Sequence, residues 1–231
     1  LVVTAGAQTA GRWREGRAFH SPLGGLWASV TASSRLHVAG LAGTGVALAV
    51  AAAEALRETT GLDVTLRWPN DLMVGDLKLG GVLVESRQGD AGATRLVLGL
   101  GANLAMRRQD LPPDLAGIAT SVFLSKGRHV SPDALLQALL PRLDVHLESL
   151  EMGRTDPLLA RWRALCRTLG RQVTVQVEGE ALTGLLKAIT LTEIGLETAP
   201  GALRTLAAGQ VSRLSEEPAP PGVSSAGQPP P

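Results

Sequence analysis

The chain has 231 residues, 45% of them apolar, and a formal net charge of +1. That length suits one medium domain plus a small one. The balanced charge argues against a general nucleic-acid binder, which carries a marked basic excess. A single cysteine, Cys166, rules out an internal disulfide and a multi-cysteine metal site.

The chain opens, without Met or a signal-peptide pattern, in a strand-like run from Leu1 to Thr4. An upstream piece is therefore expected. Residues 7–20 are rich in Gly and Arg and read as a loop; Leu26–Ser33 reads as a strand. The longest apolar run, Val38–Ala53, is shorter than the roughly 20 residues a membrane span needs. It continues into Glu54, Arg57 and Glu58, so a buried amphipathic helix over Val38–Glu58 is expected, with Gly61 at its C-cap. Strands follow at Val64–Trp68, Leu72–Val74, Leu77–Arg87 and Thr94–Leu104. Ser131-Pro132 starts a helix to about Leu150, which Pro141 should kink. Asp156-Pro157 starts another, ending near Gly170. From Gln172 short strands take over, at Val173–Val177, Leu182–Thr190, Gly195–Thr198 and Leu203–Leu206, and suggest a small β barrel. Ser215–Pro231 has no core-forming pattern and reads as a disordered tail.

The most informative stretch is Arg67-Trp68-Pro69-Asn70-Asp71, followed by Lys78-Leu79-Gly80-Gly81. Pro69 stops a strand because it cannot donate to a ladder. Asn70 and Asp71 offer side-chain oxygens at the turn. Lys78 lies inside the next strand, where strict alternation puts Val82 and Val84 on its face and Leu77, Leu79 and Leu83 on the other. Both faces are apolar, so the ammonium points into covered space and needs an anion.

Trp-Pro-Asn-Asp, a short hairpin and Lys-Leu-Gly-Gly-Val-Leu-Val-Glu resemble the signature of biotin protein ligases. Three further blocks agree in order. Gln8 to Arg17 resembles the family's Gly/Arg adenylate-binding loop. Ser21 to Val30 resembles the strand after it, and Gly99 to Leu104 the Gly-x-Gly-x-Asn strand on the nucleotide side. Gly209 to Ser212 resembles the closing strand. The resemblance covers residues 1–213. It implies an α+β fold: a mixed sheet backed by helices, of the class II synthetase-like type, with an SH3-like C-terminal barrel. The expected division is a catalytic domain over residues 1–170, the small domain over 171–214 and the tail over 215–231.

The resemblance also implies a reaction. Biotin and ATP, with Mg²⁺, give biotinyl-adenylate, and a lysine of a biotin carboxyl carrier protein then takes the biotin. Both steps develop negative charge, which fixed cations and donors stabilise. Lys78, Arg14 and Asp71 are the expected catalytic residues, with Asp71 as the candidate Mg²⁺ ligand. Gln8, Gly11, Arg12, Ser29, Lys78, Gly81, Leu83 and Gly99 match biotin positions. Arg12, Arg14, Gly16, Arg17, Phe19, Asn70, Gly101 and Asn103 match adenylate positions. Without the family, the Arg-rich loop would read as an exposed basic turn, Asn70 as a plain Asx turn, and the lone Gly-x-Gly as a weak signal.

The chain departs from the family pattern at several places. Trp13 stands where the loop has a second Gly, Glu15 where a basic residue is common, and Phe19 where Trp is. The family's Ser-Thr-Asn segment, which closes the biotin pocket, would precede Leu1. The expected protein is a monofunctional cytoplasmic ligase with no DNA or membrane partner; a homodimer is one option. The alternatives are a lipoate or octanoate ligase of the same fold, or a non-catalytic protein that binds biotin or docks the carrier.

Overall fold

A computed structural model of the protein describes residues 1–13, 16–34, 38–88 and 94–216. Six strands form the first sheet: β1 (Val2–Ala5), β2 (Gly25–Ser34), β3 (Val64–Arg67), β4 (Asp71–Val74), β5 (Leu77–Gln88) and β6 (Thr94–Asn103). They lie in the order β1-β2-β6-β5-β4-β3, and every neighbouring pair is antiparallel. Short connections dictate this between β3, β4 and β5, because a two-residue turn such as Gly75-Asp76 can only reverse the chain. Parallel pairing enters as isolated bridges, Leu66 to Cys166 and Lys78 to Ala119.

Helix α1 (Val38–Thr60) covers one face of this sheet. Its run from Ala47 to Ala53 is fully buried. Alanine gives little bulk, so the helix lies close to Val82, Leu98 and Leu100 of the sheet and still fills the space. The short helix α2 spans Val122–Lys126. Helix α3 (Pro132–Glu151) presents Leu135, Leu139, Leu143 and Leu150 to the core, at helical spacing. Ser131 caps it, accepting from the Ala134 N–H at 3.1 Å, and the helix runs on through Pro141.

Helix α4 (Asp156–Leu165) ends five residues before the expected Gly170. The reason is tertiary. Cys166 bridges Leu66, the Arg167 N–H donates to Leu66 O at 2.9 Å, and the Trp68 N–H donates to Thr168 Oγ1 at 3.1 Å. The segment thus leaves the helix to satisfy the outer edge of β3.

The second sheet contains β7 (Gln172–Val177), β8 (Glu180–Ile189), β9 (Glu193–Ala199), β10 (Ala202–Ala207) and β11 (Val211–Glu216), in the order β10-β9-β8-β7-β11. The α+β class is as expected, but β10 and β11 are not paired with each other, so the expected barrel is not closed. Its inward residues, among them Val173, Val175, Leu196 and Val211, join one continuous apolar cluster with α1 and the first sheet. β11 runs through Glu216, two residues into the stretch read as a tail; residues 217–231 lie outside the described residues. No described helix is long and apolar enough to cross a membrane.

Candidate functional site

The site occupies the face of the first sheet opposite α1. Lys78 reaches it through an irregularity in β5. Leu72 pairs with Gly80 but Met73 pairs with Lys78, so Leu79 is an extra residue in the ladder. Such a bulge shifts the side-chain alternation by one. Leu79 and Val82 enter the core, while Lys78 sits with Gly81 on the open face. The expected grouping of Lys78 with Val82 and Val84 is therefore corrected: strict alternation fails at the bulge.

The Lys78 backbone is clamped from outside the sheet. Its N–H donates to Ile118 O and its carbonyl accepts from the Thr120 N–H, each at 2.8 Å. Asn103 Nδ2 donates to Thr120 O at 2.9 Å and anchors that clamp. Asn70 also uses its amide locally. Its Nδ2 donates to Val82 O at 2.7 Å, and its carbonyl accepts from the Val82 N–H at 3.0 Å. Asn70 thereby continues the pairing of β5 where β4 begins.

The cations converge on one carboxylate. Lys78 Nζ is 2.6 Å from Asp71 Oδ1, and Arg67 reaches Asp71 Oδ2 with Nη2 at 2.6 Å and Nε at 3.1 Å. Burial pulls the Lys78 pKa below its ordinary value; Asp71 opposes this, and Arg67 and Arg17 add to it. Both oxygens of Asp71, the expected Mg²⁺ ligand, are engaged by Lys78 and Arg67. No group of three or more His, Cys, Asp or Glu side chains that could hold a metal gathers among the described residues.

The Gly/Arg loop folds back over the sheet as an irregular hairpin. The Gln8 N–H donates to Ser21 O at 2.8 Å, the Phe19 N–H to Gly11 O at 2.9 Å, and the Trp13 N–H to Arg17 O at 2.7 Å. Trp13 and Phe19 stack with centroids 5.0 Å apart, and Phe19 meets Trp27 edge to face at 5.7 Å. These rings lie directly on two glycines. A Cβ at Gly81 would collide with Trp13, and one at Gly101 with Phe19. Gly at both positions is what admits the rings. Lys78 Nζ lies 3.9 Å from the Trp13 ring centroid.

Two cavities flank the ring stack. The smaller, about 220 Å³, is lined by Gln8, Gly11, Arg12, Ser29, Gly81, Leu83 and Gly99, the expected biotin set without Lys78. Gly101, expected on the nucleotide side, also lines it. Ser21 Oγ donates to Gln8 Oε1 at 2.8 Å and so orients the Gln8 amide. The larger cavity, about 540 Å³, is lined by Arg17, Phe19, Asn70, Asp71, Lys78 and Asn103. Gly16 lines neither, and Arg14 lies outside the described residues. Sequence reasoning missed Glu85 in the smaller cavity, and Arg67 and the end of β11 in the larger. Arg213 and Glu216 come from more than 100 residues away, with no local signal.

Residues 1–103 match the sequence model of the Biotin/lipoate A/B protein ligase family. The match covers a little under half of the chain. Over 211 residues it is 30% identical to the bifunctional ligase/repressor BirA of Salmonella typhimurium, covering 91% of this chain and 65% of BirA. The chain thus spans a little less than two thirds of that relative. It is 27% identical over 199 residues to the biotin–[acetyl-CoA-carboxylase] ligase of Paracoccus denitrificans, covering 81% of this chain and 79% of the ligase. Its fold is that of the Aquifex aeolicus biotin protein ligase solved with biotin and ATP. The two superpose with a TM-score of 0.81 at 24% identity, over 94% of this chain and 89% of the other. The biotin/lipoate ligase fold thus presents its glycine stripe to the hairpin on one face and its apolar residues to the helices on the other.

Proposed function

We propose that this chain is an ATP-dependent biotin ligase acting on a biotin carboxyl carrier protein in the cytoplasm. The observation that carries the reading is the pair of cavities. One is lined by seven residues of the expected biotin set, and beside it lies one lined by Lys78, Arg67 and Arg17. In the first step a biotin carboxylate oxygen attacks the α-phosphorus of ATP and pyrophosphate leaves, giving biotinyl-adenylate. In the second, the carrier lysine amine attacks the anhydride carbonyl, AMP leaves, and an amide forms as the amine loses a proton.

The acid would lie in the smaller cavity, with the oriented Gln8 amide and Ser29 offering polar contacts and Leu83 apolar wall. Lys78 would meet carboxylate and phosphate together and offset the charge that develops between them. Asp71 would orient Lys78 and Arg67 rather than hold metal; Mg²⁺ would arrive with the triphosphate. Arg12, Arg14 and Arg17 would grip phosphate or carboxylate. Asn70 and Asn103 would act by fixing β5 and the Lys78 clamp. Residues 1–170 would form the catalytic part, with 171–214 as its small companion.

The test is isotope exchange between pyrophosphate and ATP. Exchange should require biotin and be indifferent to lipoate; exchange that needs lipoate and ignores biotin would overturn the reading.

A further inference from the structure

Trp13, Phe19 and Trp27 account for half of the aromatic residues of a chain with four Trp, two Phe and no Tyr. Two of the three rings lie on the glycines of the candidate site. Trp13 and Phe19 both line the two cavities. Trp13 stands apart because its ring lies nearer the Lys78 ammonium, at 3.9 Å against 5.9 Å for Phe19. The Trp13 ring also rests over Gly81. The same ammonium pairs with Asp71 Oδ1, at 2.6 Å.

Joining an acid in one cavity to a phosphate in the other requires both anions to reach Lys78. With the indole in this position the smaller cavity is walled off from the ammonium. The indole is not part of the sheet or of the main core, and it is only half-buried. Displacing it would cost the stack on Phe19 and the contact with Lys78, but no strand pairing. Either substrate binding alone meets that cost, and the one that follows finds the indole already moved.

We infer that Trp13 is a positioning residue that partitions the two half-sites and couples them, so that each substrate strengthens binding of the other. The inference rests on the ligase reading above.

The test is titration calorimetry on the full chain with biotin and with α,β-methylene-ATP, each alone and in the presence of the other. In the wild type each ligand should tighten the other about tenfold, a typical coupling between sites. In Trp13→Gly, biotin alone should bind about tenfold more tightly, since the partition is gone, and the coupling should vanish. The KM for biotin should fall, whereas a merely structural loss would raise it. Trp13→Phe, a smaller ring that keeps the stack, guards against misfolding of the glycine variant; its coupling should drop to about threefold. Coupling in either folded variant equal to wild type overturns the inference. Wild-type binding of both ligands without coupling overturns it too and leaves the ligase reading standing. A wild type that binds neither ligand overturns both.

Discussion

The two faces of the first sheet share every backbone atom and have opposite chemistry. On the covered face, Val82, Leu98 and Leu100 meet the alanines of α1 in a close-packed layer. On the open face, Gly81, Gly99 and Gly101 from the same strands withhold side chains, and the hairpin and two cavities occupy the space. The register makes the switch strict: Val82 pairs with Leu100, and one residue earlier Gly81 pairs with Gly101. Stability and function are thereby separated by direction rather than by position in the chain. Alteration of one face should leave the other nearly intact.

The strongest way to break that separation is in the covered layer. Leu98→Ala removes a side chain with no exposure and should cost about 2–5 kcal/mol in stability. Denaturant titration would measure this, and activity per folded molecule should hold. The open-face counterpart is Lys78→Ala. It should raise the barrier to adenylation by about 2.7–4 kcal/mol, the scale of a lost electrostatic stabiliser, with little change in melting temperature. Near-normal turnover at saturating substrates would place Lys78 outside the chemistry.

The lowered pKa of Lys78 also sets a pH limb. Function that needs the ammonium should fail as pH rises through a value below the ordinary lysine range of about 10.4. Lys78→Arg should push that limb upward if any activity survives. Gly81→Val sharpens the contrast further. The new side chain must displace Trp13, press on the Asn70 carbonyl and intrude into the smaller cavity itself, so biotin binding should weaken by at least about tenfold, corresponding to about 1.4 kcal/mol. A structure of the variant with Trp13 unmoved would contradict the packing described above.

The smallest effect belongs to the helical layer. His146 is buried beside Glu54, whose other carboxylate oxygen pairs with Arg161, and burial lowers the His146 pKa, with Glu54 opposing and Arg161 adding. The unfolded chain therefore takes up a proton at higher pH than the folded one. Stability contributed by the neutral imidazole is complete above the ordinary histidine range and falls as pH drops through it toward the lowered value. His146→Gln should flatten that acid slope in a melting-temperature series; an unchanged slope would assign it to other groups.

Much of this was legible in the sequence because local rules and tertiary fold agreed. Pro69 ended a strand where expected, Gly75-Asp76 made the two-residue turn, and Ser131-Pro132 opened a helix. The failures have a common physical origin. The bulge at Leu79, which re-aims Lys78, follows from pairing with β4, and no alternation rule reveals it. Helix α4 stops early because Cys166 and Arg167 find better partners on β3. Asn70 and Asn103, expected as ligand contacts, line the larger cavity and also brace Val82 and Thr120, a second role that residue type alone does not reveal. Residue type marked the site; only geometry showed which residues also brace it.

One hydroxyl group has a practical consequence for anyone handling this protein. Thr168 Oγ1 accepts from the Trp68 N–H and donates to Glu216 Oε1 at 3.0 Å, while Arg171 holds the other Glu216 oxygen at 3.1 Å. Through this relay the Trp-Pro-Asn-Asp turn is moored to the final residue of β11. A deletion trimmed at Arg213, or a cleavage site engineered across Ser215, would cut the mooring and remove part of the wall of the larger cavity. Tags and fusion partners belong beyond Glu216.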